Sequence, residues 1–151
     1  MALINAVRKH QYYSTLTLIL PTMIDKLAWI EIKDKHMLST KSIGKDVYYI
    51  PGGKREPGET DAAALCREIK EELSIDLLVE TLQFVGSFQA PAHGHPDGTL
   101  VKMTCYTAGY TGTLKAAAEI AEIKWLTYLD KDKISEVDKI IFDFLRGEGV
   151  L

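Results

Sequence analysis

Three glutamates that directly follow a glycine-rich turn are the residues best placed to do chemistry in this sequence. They are Glu68, Glu71 and Glu72, within GGKREPGETDAAALCREIKEELSI at residues 52–75. Carboxylate oxygens suit hard cations such as Mg²⁺ or Mn²⁺, and Mg²⁺ also takes ligands from substrate phosphates. The segment therefore indicates metal-assisted attack of water on a phosphate, in which the metal neutralises charge and lowers the pKa of a bound water.

A helix must present these glutamates, and we predict one from Asp61 to Leu73 with Thr60 as its N-cap. At 100° per residue, five residues form an apolar stripe toward the core: Ala62, Leu65, Cys66, Ile69 and Leu73. The three glutamates fall on the adjacent face at i, i+3 and i+4, so their side chains are expected to converge. The alternative is a solvated acidic face, because like charges at this spacing cost roughly a few tenths of a kcal/mol.

The elements around this helix indicate a mixed sheet covered by helices. Strand patterns occupy residues 12–20, 25–32, 36–41, 46–51, 78–91, 99–110 and 123–128. A second helix is predicted over residues 133–145, with an apolar stripe formed by Ile134, Val137, Ile140, Ile141, Phe144 and Leu145. Strands, one central helix, more strands and a terminal helix favour this arrangement over a doubly wound parallel sheet.

Composition limits the classes of partner. The chain has 151 residues, which fits a single domain over 1–151, and its formal net charge is −3. It has no basic block, so binding to long nucleic acid is not expected, and a small anionic substrate would need local cations. Cys66 and Cys105 match no zinc spacing, which favours buried, reduced thiols in a cytoplasmic protein.

Residues 1–22 precede the first expected core strand and form an N-terminal extension. A signal peptide is the alternative, but polar residues interrupt the apolar run and no small-residue cleavage site is evident. No segment reaches the length that spans a membrane. We therefore expect a cytoplasmic protein, monomer or homodimer, in which residues 1–22 add a strand or contribute to a dimer contact.

The segment resembles the Nudix box: Gly, five residues, Glu, seven residues, then Arg-Glu-U-x-Glu-Glu-x-Gly-U, where U is a bulky aliphatic residue. Here the match begins at Gly53, continues through Glu59 and Arg67, and ends at Ile75, with Ser74 in place of the box glycine. Because glycine adopts a left-handed C-cap most easily, serine should carry a modest strain or close the turn differently. The resemblance implies an α+β fold, an α/β/α sandwich with a mixed β-sheet.

The resemblance also implies an activity and a ligand set. Nudix enzymes hydrolyse a phosphoanhydride in a nucleoside diphosphate linked to another moiety, using Mg²⁺ or Mn²⁺. The implied metal ligands are Glu68, Glu71, Glu72 and the backbone carbonyl of Gly52. Glu59 and Arg67 would orient this ligand set, which makes Arg67 a candidate for catalysis as well; a plain surface ion pair is its alternative.

The general base remains open between two kinds of residue in related enzymes. One is a box glutamate, here Glu68, and the other is a carboxylate on a later loop. KAAAEIAEIKW lies where such a loop is expected, so Glu119 is the candidate and Glu122 the reserve. A solvated loop glutamate is the alternative for either one.

The substrate is likewise open. Pro91, some distance past the box, is a feature associated with ADP-ribose-cleaving members, whereas small size and a single box suit enzymes that sanitise nucleoside triphosphate pools; nucleotide sugars are a further alternative. His93 and His95 are available to contact a phosphate or the leaving group, although loop histidines are often only solvated. The candidates for stacking on a base are Tyr48, Tyr49, Phe88 and Tyr106.

A Nudix-fold module that senses a nucleotide without cutting it is the competing class. Such modules usually lose box carboxylates, and this chain keeps all of them. The sequence therefore favours an enzyme acting on a small nucleotide substrate.

Overall fold

The computed structural model describes residues 20–151, which form nine strands and two α-helices. The strands are β1 (Met23–Trp29), β2 (Ile32–Lys33), β3 (His36–Ser42), β4 (Gly52–Gly53), β5 (Asp76–Leu77), β6 (Gln83–Pro91), β7 (Leu100–Thr107), β8 (Tyr110–Thr111) and β9 (Ile120–Leu126). The helices are α1 (Asp61–Leu73) and α2 (Glu136–Gly147), and 3₁₀ turns occupy Val79–Thr81 and Tyr128–Lys133.

The strands form one mixed sheet and two smaller antiparallel ones. The mixed sheet has the order β4-β1-β7-β6, in which β1 runs parallel to β7 and the other two pairings are antiparallel. A three-stranded sheet has the order β2-β3-β9, and β5 pairs with β8. The predicted mixed sheet is therefore confirmed.

Helices cover both faces of the mixed sheet. Successive residues of β1 point to opposite faces, so each helix packs on a different set of β1 residues. Leu27 and Trp29 pack with α1 in the α1 core, which also contains Leu38, Ala64, Leu65, Ile69, Leu73, Ile75, Leu77 and Ala108. Ala28 and Ile30 pack with α2 in the α2 core, whose helical members are Val137, Ile141, Phe142 and Leu145. This layering confirms the predicted α+β class and α/β/α sandwich.

The ends of α1 lie where the sequence predicts them. The Thr60 hydroxyl accepts a hydrogen bond from the Ala63 N–H at 3.1 Å, and this caps the first turn. Ser74 closes the other end with φ 62° and ψ 24°, and its N–H donates to the Lys70 carbonyl at 3.1 Å. Ser74 therefore takes the left-handed conformation that favours glycine.

The buried face of α1 is shifted from the predicted stripe. Leu65, Ile69 and Leu73 are buried as predicted, but Ala62 and Cys66 are only partly buried. Ala64 and Glu72 are buried instead, and Cys105 is the fully buried thiol. The difference arises because β4 packs against the glutamate side of the helix, and helical periodicity does not reveal that contact.

The last helix begins later and is rotated relative to the prediction. It starts at Glu136 rather than Lys133, because residues 128–133 form a 3₁₀ turn. Its buried residues are Val137, Asp138, Ile141, Phe142 and Leu145, whereas Ile140 and Phe144 are exposed. The prediction was wrong for these two residues because Asp138 and Phe142 occupy the buried side instead, where Asp138 accepts a hydrogen bond from the Ile50 N–H.

Several strand bounds also differ from the predictions. Residues 46–51 form no strand and contribute only isolated bridges at Tyr48 and Tyr49. Val79–Thr81 is a 3₁₀ turn inside the segment that was predicted to be extended, and β9 begins at Ile120 rather than at residue 123. The prediction for residues 12–20 lies outside the described part of the chain, apart from Leu20. Within residues 20–151, no helix is long and apolar enough to cross a bilayer.

Candidate active site

A carboxylate-lined cleft lies beside α1 and β4. The carboxylates are Glu68 and Glu72 from α1 and Glu119 from the loop before β9. Basic residues line the same cleft: Lys26, Lys45, Lys54, His93 and His95. A cleft with both signs of charge suits a substrate that carries phosphates together with a divalent cation.

Two glycines bring the backbone of β4 close to the glutamates. A side chain at Gly52 would clash with the Leu27 carbonyl oxygen, and one at Gly53 would clash with the Glu68 carboxylate. Gly52 also has φ 152°, in the region that disfavours side chains. The two glycines therefore let the Glu68 carboxylate lie directly against β4. The sequence indicated only a turn at these glycines.

Arg67 links Glu59, Glu68 and the Lys54 backbone through hydrogen bonds. Its guanidinium donates to both carboxylate oxygens of Glu59, at 2.7 and 2.8 Å, and to Glu68 Oε1 at 3.1 Å. It also donates to the Lys54 carbonyl at 3.1 Å. The Arg67 hydrogen bonds lower the pKa of Glu59 to about 2, so this carboxylate stays charged. Arg67 is not among the cleft-lining residues, so its geometry is that of a positioning residue.

Glu72 is the most deeply buried carboxylate of the cleft, with 7% of its surface exposed. Burial raises its pKa to about 8, and the nearby charges of Glu119 and Glu68 add to this rise, whereas the hydrogen bond from the Gly52 N–H opposes it. Burial also raises the pKa of Glu68, against the effect of Arg67. Burial therefore outweighs the groups that favour the charged form of each carboxylate.

The donor set fits a divalent cation. The Gly52 N–H donates to Glu72 at 3.1 Å, and no lysine or arginine of the described residues contributes to the pKa of Glu72. No three His, Cys, Asp or Glu side chains of residues 20–151 are already gathered as a metal cage. Carboxylates repel one another without a counter-ion, so a cation would neutralise them and draw their oxygens together.

Glu71 does not join the other two helix glutamates at the cleft. Its side chain is 54% exposed and lies 3.6 Å from Arg67 Nη1. The predicted convergence of all three carboxylates is therefore limited to Glu68 and Glu72, since these are one turn apart on the side nearer the core. The role of Glu71 as a metal ligand remains a prediction.

The loop before β9 brings Glu119 to the helix glutamates. The N–H groups of Lys115 and Ala117 donate to the carbonyls of Leu73 and Glu72, both at 3.0 Å. Ala118 takes a left-handed conformation at φ 50°, immediately before Glu119. The structure therefore brings the first candidate for the general base into the cleft.

The reserve candidate lies elsewhere. Glu122 is on β9, where its carboxylate pairs with the Lys41 ammonium at 3.3 Å, and it does not line the cleft.

Three of the four aromatic residues predicted to stack on a base have other surroundings. Tyr48 is buried in the core, so it is not a stacking candidate. The stacking candidates Phe88 and Tyr106 make contacts within the protein. The Phe88 ring packs on Phe144, and the Tyr106 hydroxyl donates a hydrogen bond to Asp61.

Tyr49, His93 and His95 are the remaining predicted contacts, and all three line the cleft. His93 Nε2 lies 2.9 Å from Asp46 Oδ1, and the His93 ring meets the Tyr49 ring edge-on. Pro91, at the end of β6, lines a smaller adjoining cavity. Sequence reasoning missed Lys26, whose position within a strand gave no signal of function.

The α/β/α fold, with its carboxylate-lined cleft beside α1, is that of one family of hydrolases. The NUDIX domain family matches residues 27–145. An ADP-ribose pyrophosphatase of Methanocaldococcus jannaschii is 31% identical over 106 residues, which is 70% of this chain and 61% of the relative. The match therefore spans less than two thirds of that protein.

Two further proteins are similar. YvcI of Bacillus subtilis, an uncharacterised Nudix hydrolase, is 27% identical over 81% of this chain and 78% of its own length. The solution structure of the Escherichia coli ORF135 protein superposes with a TM-score of 0.65 and 26% identity, covering 83% of this chain and 92% of that one. The chain belongs to the Nudix hydrolase family.

Proposed function

We propose that this protein is a Mg²⁺- or Mn²⁺-dependent pyrophosphohydrolase that cleaves a nucleoside diphosphate linked to another moiety. The observation that carries this proposal is the buried Glu72 carboxylate beside Glu68 and Glu119, in a cleft that also contains lysines. The burial of Glu72 beside two other carboxylates supports a bound cation, and the retained box carboxylates favour an enzyme over a binding module, because such modules usually lose them.

ADP-ribose is the substrate that we propose first. The similarity to an ADP-ribose pyrophosphatase supports it, and so does Pro91 at the position past the box that is associated with such enzymes. Nucleoside triphosphates and nucleotide sugars share the phosphoanhydride and are the competing substrates.

Each residue of the cleft has a separate task in this proposal. Glu68 and Glu72 hold the metal together with the Gly52 carbonyl, and Glu71 completes the set from the edge of the cleft. Arg67 and Glu59 fix the direction of the Glu68 carboxylate. Glu119 accepts the proton of the attacking water. The metal, when bound, neutralises the phosphate charge and makes the water a stronger nucleophile.

A hydrolysis panel tests the proposal. ADP-ribose, nucleotide sugars, and normal and oxidised nucleoside triphosphates are incubated with and without Mg²⁺, and the products are separated by chromatography. We expect metal-dependent release of AMP from ADP-ribose. Tight binding of a nucleotide without cleavage would contradict the proposal and favour the sensing module.

Glu72→Gln tests the ligand assignment, because it removes a charge with little change in shape. We expect kcat to fall by at least ~10²-fold, and the rise in melting temperature with Mg²⁺ to disappear. Without metal, the variant should melt no lower than the wild type, since the buried acid is replaced by a neutral amide. Glu80→Gln, an exposed glutamate outside the cleft, is the control. Normal turnover by Glu72→Gln would show that the assignment is wrong.

A further inference from the structure

Two connecting segments form part of the rim of the carboxylate-lined cleft. The β3 turn, residues 43–46, follows β3, and the β6 loop, residues 92–99, joins β6 to β7. Lys45 lines the cleft from the β3 turn, and His93 and His95 line it from the β6 loop. The two segments come from distant parts of the chain, so the contacts between them determine how this side of the rim is held.

His93 connects the β6 loop to the β3 turn. Its Nε2 lies 2.9 Å from Asp46 Oδ1, and this hydrogen bond lowers the pKa of Asp46, so a charged carboxylate accepts and the imidazole N–H donates. The His93 ring also meets the Tyr49 ring edge-on, with 6.0 Å between the centroids. Tyr49 is paired with Thr40 of β3 through two backbone hydrogen bonds of 2.8 Å. The β6 loop is therefore attached at two points to the segment that leaves β3.

The β3 turn has few other attachments within the described residues. The Ile43 side chain is 71% exposed, and a Cβ at Gly44 would meet no atom of these residues within 4 Å. The Lys45 N–H donates to the Ser42 carbonyl at 3.1 Å, a hydrogen bond that closes the turn on itself. Segments with few buried contacts open at a low cost in free energy, so the hydrogen bond between Asp46 and His93 is expected to affect how often this turn opens.

The same turn holds the backbone of Glu119. The Ile43 N–H donates to the Glu119 carbonyl at 2.8 Å, just beyond the last paired residues of β3 and β9, Ser42 and Ile120. Ala118, directly before Glu119, has φ 50°, and a residue with a Cβ keeps such a conformation only where its surroundings impose it. The hydrogen bond from Ile43 is one of these constraints, so the position of Glu119 depends on the β3 turn.

We propose that the Asp46–His93 hydrogen bond keeps the β3 turn in place and thereby, through the Ile43 N–H, positions Glu119 in the cleft. This inference rests on the proposed function, in which Glu119 accepts the proton of the attacking water. Asp46 does not line the cleft, so it is a positioning residue that acts through His93 and Ile43. Its loss should slow the chemical step without weakening the binding of substrate.

Amide hydrogen exchange, followed by NMR on the full-length protein, tests the first link without relying on turnover. In Asp46→Ala the Ile43 amide should exchange about two- to fivefold faster than in the wild type, the range expected for an exposed hydrogen-bonded pair. The Thr40 amide, which donates to the Tyr49 carbonyl, should be unchanged. Asp46→Asn keeps an acceptor oxygen and should restore the wild-type rate.

Asp97→Ala is the matched control for this measurement, because Asp97 is an exposed carboxylate of the β6 loop that does not line the cleft. Its Ile43 amide should exchange as in the wild type. An Ile43 amide that exchanges equally fast in the wild type and Asp46→Ala would overturn the proposal.

Steady-state kinetics test the link to Glu119. Asp46→Ala should lower kcat for ADP-ribose about two- to fivefold and leave KM unchanged, since only the position of the base is affected. In the Glu119→Gln background the same substitution should have no further effect, because the group that it positions is absent. A merely structural role would lower kcat equally in both backgrounds, and that result would overturn the proposal, as would a raised KM with normal kcat.

Ile43→Pro removes the N–H that bonds to Glu119, and Ile43→Ala keeps it while shortening an exposed side chain. We expect kcat to fall at least about fivefold in Ile43→Pro and to stay within about twofold of the wild type in Ile43→Ala. Thermal unfolding followed by circular dichroism shows whether the proline variant is folded. A folded Ile43→Pro with normal kcat would overturn the proposal, and if this variant does not fold, the measurements on Asp46→Ala decide.

The same measurements separate this proposal from the proposed function. Metal-dependent hydrolysis that Asp46→Ala leaves unchanged overturns the positioning role alone. Faster exchange of the Ile43 amide in Asp46→Ala, without hydrolysis of any substrate, overturns the enzyme and leaves the coupling between the β6 loop and the β3 turn standing.

Discussion

Glu119 and Glu122 are three residues apart, yet their side chains have different surroundings. Glu119 lines the cleft with Glu68 and Glu72, whereas Glu122 pairs with Lys41 on β9. A general base must lie within hydrogen-bond reach of its water, directly or through one more water. Position in space therefore distinguishes two glutamates that the sequence presents as near equivalents.

Glu119→Gln is expected to lower kcat for ADP-ribose by ~10²- to 10⁴-fold, because the amide cannot accept the proton of the attacking water. Glu122→Gln should stay within about twofold of the wild type, since an exposed ion pair contributes little. Initial rates at saturating Mg²⁺ and substrate decide between them. A large loss of kcat in Glu122→Gln, together with a normal kcat in Glu119→Gln, would show that Glu122 is the general base.

Asp138 makes the stability of the protein depend on pH. Burial raises its pKa from 3.8 to about 7, against the effects of the nearby Ser135 hydroxyl, the Ile50 N–H and the Lys26 ammonium. Between about pH 4 and 7 the folded chain therefore binds more protons at this site than the unfolded chain does. By linkage, this group makes the free energy of unfolding fall as pH rises through that window.

Asp138→Asn should remove this contribution while the amide oxygen still accepts the hydrogen bond from Ile50. We expect urea unfolding of the variant to show a smaller loss of stability between pH 5 and pH 8 than the wild type, by no more than ~4 kcal/mol. Asp132→Asn, on an exposed turn, is the control and should follow the wild type. Identical slopes in all three proteins would show that Asp138 is ionised already at pH 5.

At the level of single elements, Ser74 at the end of α1 takes the backbone conformation that favours glycine. Ser74 sits in the left-handed region, and the Ser74 side chain makes no hydrogen bond among the described residues. A residue with a Cβ pays roughly 1–2 kcal/mol there, and glycine loses part of that advantage through its freedom in the unfolded chain.

Ser74→Gly should therefore raise the free energy of unfolding by ~0.5–1 kcal/mol. Ser74→Ala keeps the Cβ and should show little change, so the pair isolates the backbone effect. Urea unfolding midpoints measure both, and hydrolysis rates should stay equal because Ser74 does not line the cleft. A lower midpoint for Ser74→Gly would mean that the serine hydroxyl stabilises the turn.

At the level of the whole molecule, one sheet connects the two cores. Adjacent residues of β1 belong to opposite cores, with Leu27 and Trp29 in the α1 core and Ala28 in the α2 core, which Ile30 joins directly after the strand. A substitution that removes packing in the α2 core should therefore also destabilise the α1 core. We propose that residues 20–151 unfold as one cooperative unit.

Ile141→Ala tests this cooperativity, because Ile141 is fully buried in the α2 core. The cavity should lower the free energy of unfolding by ~2–5 kcal/mol. Tryptophan fluorescence, which reports Trp29 in the α1 core and Trp125 packed against it, should shift together with far-UV circular dichroism. Ile140→Ala, at the exposed neighbouring residue, should lower it by less than ~1 kcal/mol. Separate midpoints for the two signals would contradict a single unit.

The sequence by itself determined the features that depend on a short stretch of chain. Box spacing placed the glutamates on α1, Thr60 and Leu73 marked the helix, and alternating residues located β1, β3 and β7. These predictions succeed because hydrogen bonds within a helix and the pleat of a strand impose their periods locally. The order of the elements predicted a mixed sheet covered by helices, and the resemblance to the Nudix box implied the α/β/α sandwich.

Only the tertiary structure decided which side chains meet across the chain. It buried Glu72, brought Glu119 rather than Glu122 to the cleft, and left Glu71 at the edge. It also rotated α2 so that Asp138 faces the core, and placed Lys26 between two cavities. Burial and proximity between distant segments depend on how sheets and helices pack, and the periodicity of any one segment carries no information about that packing.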